Sequence, residues 1–372
     1  MQNGPLLVLL FGGENAERHV SVASAQNILS AVPDDCELQL LFWRPDATVQ
    51  FVSQQQLRCH TNPYTNAFQP QLMHTDGCFE SGLDIRQAMK TLARQARSHK
   101  RQVTVLLAVH GIGCEDGLLQ RVMEQEGLAF TGSGSQASAR AFNKIKAKQH
   151  MQQQGILVAQ HLLLESIAGQ AQQVLTQQFL RKHGALVMKQ VQEGSSSGLQ
   201  FLHTHADVVR AIQIAARDAR PILVEPKLSG IELTVSVVQD ESGCVSALPC
   251  TQVKPQVGRC FDYAGKYLGD GVQEITPAQI PNALAKQAQA MAIKAHTTLG
   301  CRGYSRTDCI ATPDGIVFLE INTLPGLGCN SFIPQQLRVA GIHLQQFIST
   351  QLHIARHACR VQPHESRDSI SC

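Results

Sequence analysis

A continuous apolar run at residues 6–11 ends in Gly12-Gly13 and is followed by Val22, Ala25, Leu29 and Val32 at helical spacing. Strand, glycine turn and helix in that order form a βα unit suited to holding a phosphate or another ligand at its turn. Further strands are expected at residues 38–43, 103–109 and 128–131, with helical or loop segments between them. The first third therefore reads as an open α/β sheet. Residues 51–81 mix Pro, Asn, Gln and Gly without a period and read as a loop or insertion.

Beyond a helix expected at 135–154 and closed by Gly155, the texture changes. Strands now come in pairs. Residues 185–191 pair with 199–202 around a serine-rich loop; 222–227 and 232–238 follow a helix, and the latter turns back at Asp240-Glu241-Ser242-Gly243. A long helix at 277–299 leads into strands 301–312 and 316–321, joined by Thr312-Pro313-Asp314-Gly315. The pattern implies an N-terminal α/β domain over residues 1–140, a central domain over 141–230 and a C-terminal domain over 231–352. A polar tail at 353–372 is expected to fray.

Composition narrows the function classes. A chain of 372 residues, 43% hydrophobic and 16% charged, is long enough for two or three domains and has the balance of a soluble enzyme. No apolar run approaches the roughly 18 residues a membrane span needs. The opening MQNGPLLVLLFGG lacks a basic region ahead of its apolar run and reads as a first strand, not a signal peptide. Twelve cysteines without a CxxC pair suit reduced thiols in a cytoplasm. A net charge of +3 makes no electrostatic case for nucleic acid, and the basic stretch at 93–101 reads as the solvated end of a helix.

Residues 193–199, EGSSSGL, contain the G-x-S-x-G spacing of a hydrolase nucleophile elbow. An elbow needs a helix leaving the turn, whereas residues 199–202 alternate like a strand. The hairpin context favours a glycine-rich loop that folds over a nucleotide, Gly194 and Gly198 giving room for phosphate and Lys189 adding charge. Farther on, Asp308 lies on one strand of a hairpin and Glu320 and Asn322 on the other. Residues i and i+2 share a face, so three oxygen ligands there suit Mg²⁺ completed by phosphate and water.

These pieces, in this order, resemble the ATP-grasp ligases, specifically the D-alanine:D-alanine ligases of bacterial cell-wall synthesis. The matching stretches are FGGENAERHVSVAS, HGIGCEDGLLQ, KQVQEGSSSG, EPKLSGIELTV, DYAGKY, and SRTD with LEINTLPG and SFIP, spread over residues 8–344. The resemblance implies an α/β ATP-grasp fold, with a Rossmann-like open sheet followed by two α+β domains that clasp the nucleotide. It implies phosphorylation of one D-alanine carboxylate by ATP and attack on the acyl phosphate by a second D-alanine. By the same resemblance Lys144 and Lys189 hold nucleotide phosphates and Lys266 reaches the γ-phosphate. Ser195 belongs to the loop over the phosphates, Glu225 and Leu228 to the hinge that meets adenine, and Glu232 meets the ribose. Asp308, Glu320 and Asn322 would bind two Mg²⁺ ions, with Mn²⁺ as a substitute. Glu17 would pair with the first ammonium near His110, and Arg306 with the Gly326 amide would stabilise the oxyanion. Ser331 would hold the second carboxylate, with Phe332 lining that pocket, while Ser196, Tyr267 and Glu17 would form a hydrogen-bonded set. A homodimer through the N-terminal domain is also implied.

The chain departs from the family pattern at Gln190 (usually Pro), Phe261 (often Tyr), Leu327-Gly328 (usually Met-Thr) and Phe332 (commonly a smaller aliphatic). None of these is expected to touch metal or phosphate, so they bear on the second substrate. By the resemblance, in which ligases that make D-alanyl-D-lactate differ at this loop position, Tyr267 favours an amine acceptor, D-alanine, with D-serine, D-lactate or another small amino acid as the alternative. A silent nucleotide-binding paralogue is the other class, and the intact Arg306 and metal set argue against it.

Overall fold

The computed structural model describes residues 4–33, 36–71, 82–165, 169–194, 198–217, 220–255 and 272–361. In the first unit β1 (Leu6–Gly12) lies between β2 (Glu37–Trp43) and β4 (Val103–Val109), parallel to both. The edges are β3 (Val49–Val52), antiparallel to β2, and β5 (Ala129–Phe130). Every residue of β1 is buried, as a central parallel strand covered on both faces must be. Gly12 ends the strand at φ +101°, and a Cβ there would overlap the Trp43 carbonyl, so only glycine can make this exit. The helix Arg18–Leu29 then returns along the sheet.

The remaining strands are β6 (Leu157–Val158), β7 (Leu162–Leu164), β8 (Leu186–Gln190), β9 (Gln200–Leu202), β10 (Ile222–Pro226), β11 (Ile231–Gln239), β12 (Val245–Ala247), β13 (Thr251–Pro255), β14 (Val272–Ile275), β15 (Tyr304–Thr312) and β16 (Gly315–Asn322). A small antiparallel sheet runs β7-β10-β8-β9, covered by helices Gln170–His183 and His205–Arg217. A larger one runs β14-β13-β11-β15-β16-β6, with β12 beside β11. One face of this sheet packs Leu233, Val235, Cys309, Phe318 and Ile321 against the helix Asn282–Leu299. Its other face carries the polar residues described below.

Several sequence expectations need correction. The helix expected at 135–154 is two helices, Ser135–Phe142 and Lys144–Gln153. Asn143 breaks it with an extended backbone, and its side chain accepts from the Lys146 amide as an N-cap. The supposed loop at 51–81 contains β3 and a short helix, Gln54–Arg58, opened by a Ser53/Gln56 capping box, and Phe68 lies in the core. The tail does not fray at 353: the helix Leu344–Val361 continues because Phe347, Ile348, Leu352 and Ala355 form a buried stripe against the first sheet. Helix Lys144–Gln153 and β6 pack on β16, so part of the segment assigned to a central domain belongs to the core of the larger sheet. Among the described residues no helix is long and apolar enough to cross a membrane.

Candidate active site

The polar face of the larger sheet is assembled by register. Thr234 of β11 stands opposite Asp308 of β15, which stands opposite Glu320 of β16, and Arg306 stands opposite Asn322. A bulge makes this possible. Pairing shifts between Asp308 and Cys309, leaving Leu319 as the extra residue, so Glu320 faces the site while Phe318, two residues earlier, faces the core. Arg306 Nε and Nη2 donate to Asp308 Oδ1 and Oδ2 at 2.9 and 2.8 Å, and Thr234 Oγ1 donates to Asp308 Oδ1 at 2.6 Å. Lys144 Nζ lies 3.1 Å from Glu320 Oε2 and donates to the Glu193 carbonyl at 2.8 Å. The buried Asn322 Nδ2 has no hydrogen-bond partner among the described residues. Two hard carboxylates and the Asn322 amide oxygen are a donor set that fits a magnesium ion, which takes few protein ligands, and the amide NH2 is left to donate to a phosphate or water oxygen. No group of three His, Cys, Asp or Glu suited to a metal occurs among the described residues, so water or phosphate must complete the shell.

Near Glu320 lies a charge triad, two of whose members, Lys148 and Glu225, are buried. Glu225 Oε2 is 2.5 Å from Lys189 Nζ, and its other oxygen meets the ammonium of Lys148, which is entirely buried. Burial works against the charge on Glu225, yet the two lysines hold its pKa down at about 2. Burial likewise lowers Lys148, while Lys189, half-buried, is held above its ordinary value by Glu225 and Glu320.

A second cluster sits where the first sheet meets the turn after β16. Glu17 precedes the helix Arg18–Leu29, and its amide donates to Asn15 Oδ1, whose side chain also binds the His110 and Ile112 carbonyls. A Cβ on Gly111 would overlap Glu17 Oε2, and one on Gly194 would lie 2.6 Å from it. The carboxylate therefore sits between two glycine loops, one of them leading into the serine loop. Glu115 accepts from the Gly111 amide at 3.0 Å and the Leu324 amide at 3.4 Å; burial, then the nearby charge of Glu17, push its pKa up to about 8. His110 Nδ1 is 2.7 Å from the Leu324 carbonyl, which can only accept, so Nδ1 carries the proton and Nε2 accepts from Ser24 Oγ at 3.1 Å. Burial lowers the imidazole pKa to about 4, leaving the ring neutral.

The third part is a small cavity lined by Glu274, Arg306, Pro325, Gly326, Asn330, Ser331, Phe332 and Ile333. Gly326 and Gly328 have ordinary backbone angles; what they supply is space, since a Cβ would lie 3.0 Å from Ser331 Oγ at the first and 2.7 Å from Tyr64 Oη at the second. Ser331 is the N-cap of the helix Phe332–Val339, yet its hydroxyl makes no capping bond and so is not committed to the helix. The Arg306 guanidinium lies 5.5 Å from the Phe332 ring centroid.

The structure thus brings together Glu17 with His110, Lys144 with Glu320, Lys189 with Glu225, and Arg306 with Asp308, Gly326, Ser331 and Phe332. Glu232 lies on the polar face of β11 and Leu228 just beyond β10. Ser195, Ser196, Lys266 and Tyr267 lie outside the described residues, as does Phe261. The β8–β9 hairpin around the serine loop is present, and no helix follows the serines directly, which removes the nucleophile-elbow reading. Sequence reasoning missed Lys148, Glu115 and Glu274. Lys148 follows Lys144 by one helical turn, and Glu115 lies within a stretch matched to the family; Glu274 left no signal.

Residues 6–133 match the family described as D-ala D-ala ligase N-terminus and residues 150–353 that described as D-ala D-ala ligase C-terminus. A D-alanine–D-alanine ligase of Ralstonia pickettii is 32% identical over 363 residues, 97% of this chain and 92% of that protein. Another, from Nitrosospira multiformis, is 29% identical, covering 94% and 96%. Among solved structures, the D-alanine-D-alanine ligase of Coxiella burnetii superposes with a TM-score of 0.76 at 21% identity, over 96% of this chain and 95% of that one. The VanG D-Ala:D-Ser ligase of Enterococcus faecalis gives 0.75 at 21%, over 95% and 100%. At that identity the structural likeness establishes the fold, the α/β ATP-grasp architecture; the sequence matches establish more. The chain belongs to the D-alanine–D-alanine ligase family.

Proposed function

We propose that this protein joins two D-alanines into D-alanyl-D-alanine, a peptidoglycan precursor, using ATP to activate the first carboxylate. The observation that carries the reading is the turn after β16. Glu320 and Asn322 lead straight into residues 323–328, whose backbone is held by His110, Glu115, Ser24 and Asn27 from the first unit. Phosphate chemistry and amino-acid binding therefore meet within a few residues.

Glu17 binds the ammonium of the donor D-alanine, and neutral His110 shapes the wall beside it without adding a competing cation. Lys144 and Lys189 neutralise nucleotide phosphate, the β10–β11 segment from Glu225 to Glu232 borders the adenosine, and by the family resemblance Lys266 and the serine loop are further phosphate contacts. Asp308, Glu320 and Asn322 hold two magnesium ions, which when bound supply charge neutralisation to the phosphates. The donor carboxylate oxygen attacks the γ-phosphorus and ADP leaves. The acceptor amine, once it has lost its proton, attacks the acyl carbon; Arg306 and the Gly326 amide stabilise the oxyanion, and phosphate departs with the C–O bond electrons. Positioning and charge neutralisation are the protein's main contributions. Ser331 and the N-terminus of its helix hold the acceptor carboxylate. The use of ATP and the reading of the cysteines as reduced thiols support a cytoplasmic reaction, and the family resemblance implies a homodimer through the N-terminal unit.

The test is ADP release from ATP and Mg²⁺ with D-alanine, D-serine, D-lactate or L-alanine in parallel, and product identification by mass spectrometry. D-alanyl-D-alanine with D-alanine is the expected product. Faster joining of D-serine or D-lactate as acceptor would replace the acceptor assignment, and nucleotide binding without turnover on all four would overturn the reading.

A further inference from the structure

The acceptor arrives as an ammonium ion, and its nitrogen has no lone pair until a proton is removed. Among the described residues that line the cavity of the oxyanion donors Arg306 and Gly326 and the acceptor-binding Ser331, one is a carboxylate, Glu274 of β14. We propose that Glu274 is the general base that takes this proton, a role resting on the ligase reading above. It is placed for the task by an ordered support. Gln335 Nε2 donates to Glu274 Oε2 at 2.6 Å and to the Asn330 carbonyl at 2.7 Å, and Gln335 Oε1 accepts from Thr276 Oγ1 at 3.2 Å. Thr276 is in turn 2.7 Å from Thr251 Oγ1, to which Gln336 donates. A base held by a side-chain amide that is itself held by two further partners has one orientation, and Oε1 faces the cavity for the substrate.

Among the described residues the charged group beside Glu274 is Arg306 of β15, with Glu232 of β11 and Asp308 of β15 farther along the same sheet face; the helix Phe332–Val339 presents the neutral Gln335 and Gln336. Burial raises the Glu274 pKa, with Gln335 and Arg306 opposing, which brings the carboxylate nearer the working pH of a base. In the step itself Glu274 accepts one proton from the ammonium and the freed lone pair forms the C–N bond. The tetrahedral centre then expels phosphate with its bonding electrons, the phosphate takes the second N–H proton as it leaves, and Glu274 returns the first to water.

The experiment compares wild type and Glu274→Gln with two acceptors, D-alanine and hydroxylamine, whose neutral form at pH 7 needs no base. Dipeptide formation at saturating D-alanine should fall about 100-fold or more in the variant, the scale of general-base catalysis. D-alanyl hydroxamate formation should stay within twofold of wild type, and the acid limb of the dipeptide pH profile should disappear. Dipeptide kcat within twofold of wild type, with or without a raised KM for the acceptor, would overturn the base assignment; so would equal loss with both acceptors. Failure of wild type to make either product would instead contradict the ligase reading.

Discussion

At the residue scale the most consequential groups are buried charges that satisfy one another. Glu225 lies between Lys148 and Lys189, so Glu225→Gln takes the counter-charge from the buried Lys148 and the nearest one from Lys189. That change should cost about 3–5 kcal/mol of unfolding free energy, read by urea denaturation. Lys148→Met, which leaves one carboxylate with one cation, should cost clearly less, and equal losses would mean that the triad does not act as a charge-balanced unit. Glu115 behaves in the opposite sense. Its folded pKa, about 8, lies above the ordinary carboxyl value of 4.5, so the native state keeps a proton that the unfolded chain has released. Its stabilising contribution is complete below about pH 4.5 and is lost as pH rises through 8. Glu115→Gln removes that titration, so melting temperature between pH 5 and 8 should fall less steeply in the variant than in wild type; parallel slopes would exclude the raised pKa.

Elements place these residues through local breaks in regularity. Asn143 interrupts what would otherwise be one helix, and the break turns Lys144 toward Glu193 and Glu320. Asn143→Ala keeps an allowed backbone but loses the cap, so stability should drop by about 1 kcal/mol. KM for ATP should rise as Lys144 loosens, and an unchanged KM would detach the cap from phosphate binding. The sequence showed the β1 turn, the β8–β9 and β15–β16 hairpins and the i, i+2 pairing of Glu320 with Asn322, because these rest on local period and glycine chemistry. It hid the Asn143 break, since an asparagine inside a periodic stretch reads as a tolerated surface residue. It hid the Leu319 bulge, which depends on pairing with a distant strand. The helix Leu344–Val361 was obscured by its polar outer face, and Glu274 by standing alone on a short strand. The family resemblance supplied roles for Glu17, His110 and Ser331 that spacing alone could not.

At the scale of the whole molecule, function requires that separate sheets keep a fixed relation. Arg302 is one link: Nε and Nη2 donate to the carbonyls of Gly132 and Phe130 at 2.8 and 3.1 Å, and the guanidinium covers the Phe130 ring at 4.9 Å. Arg302→Met should lower stability by about 2–3 kcal/mol, as two carbonyls lose their donors, and reduce kcat by moving Arg306 relative to Glu17. Full activity in a destabilised variant would show that the link serves stability alone. The turn at 323–328 is the other link, and through it the two halves of the reaction share one site. The most direct test of that account uses D-alanine labelled with ¹⁸O in its carboxylate and follows the label by mass spectrometry. If the donor carboxylate is phosphorylated and then displaced by the acceptor amine, each released phosphate carries one ¹⁸O from the donor. Unlabelled phosphate accompanying dipeptide formation would contradict it.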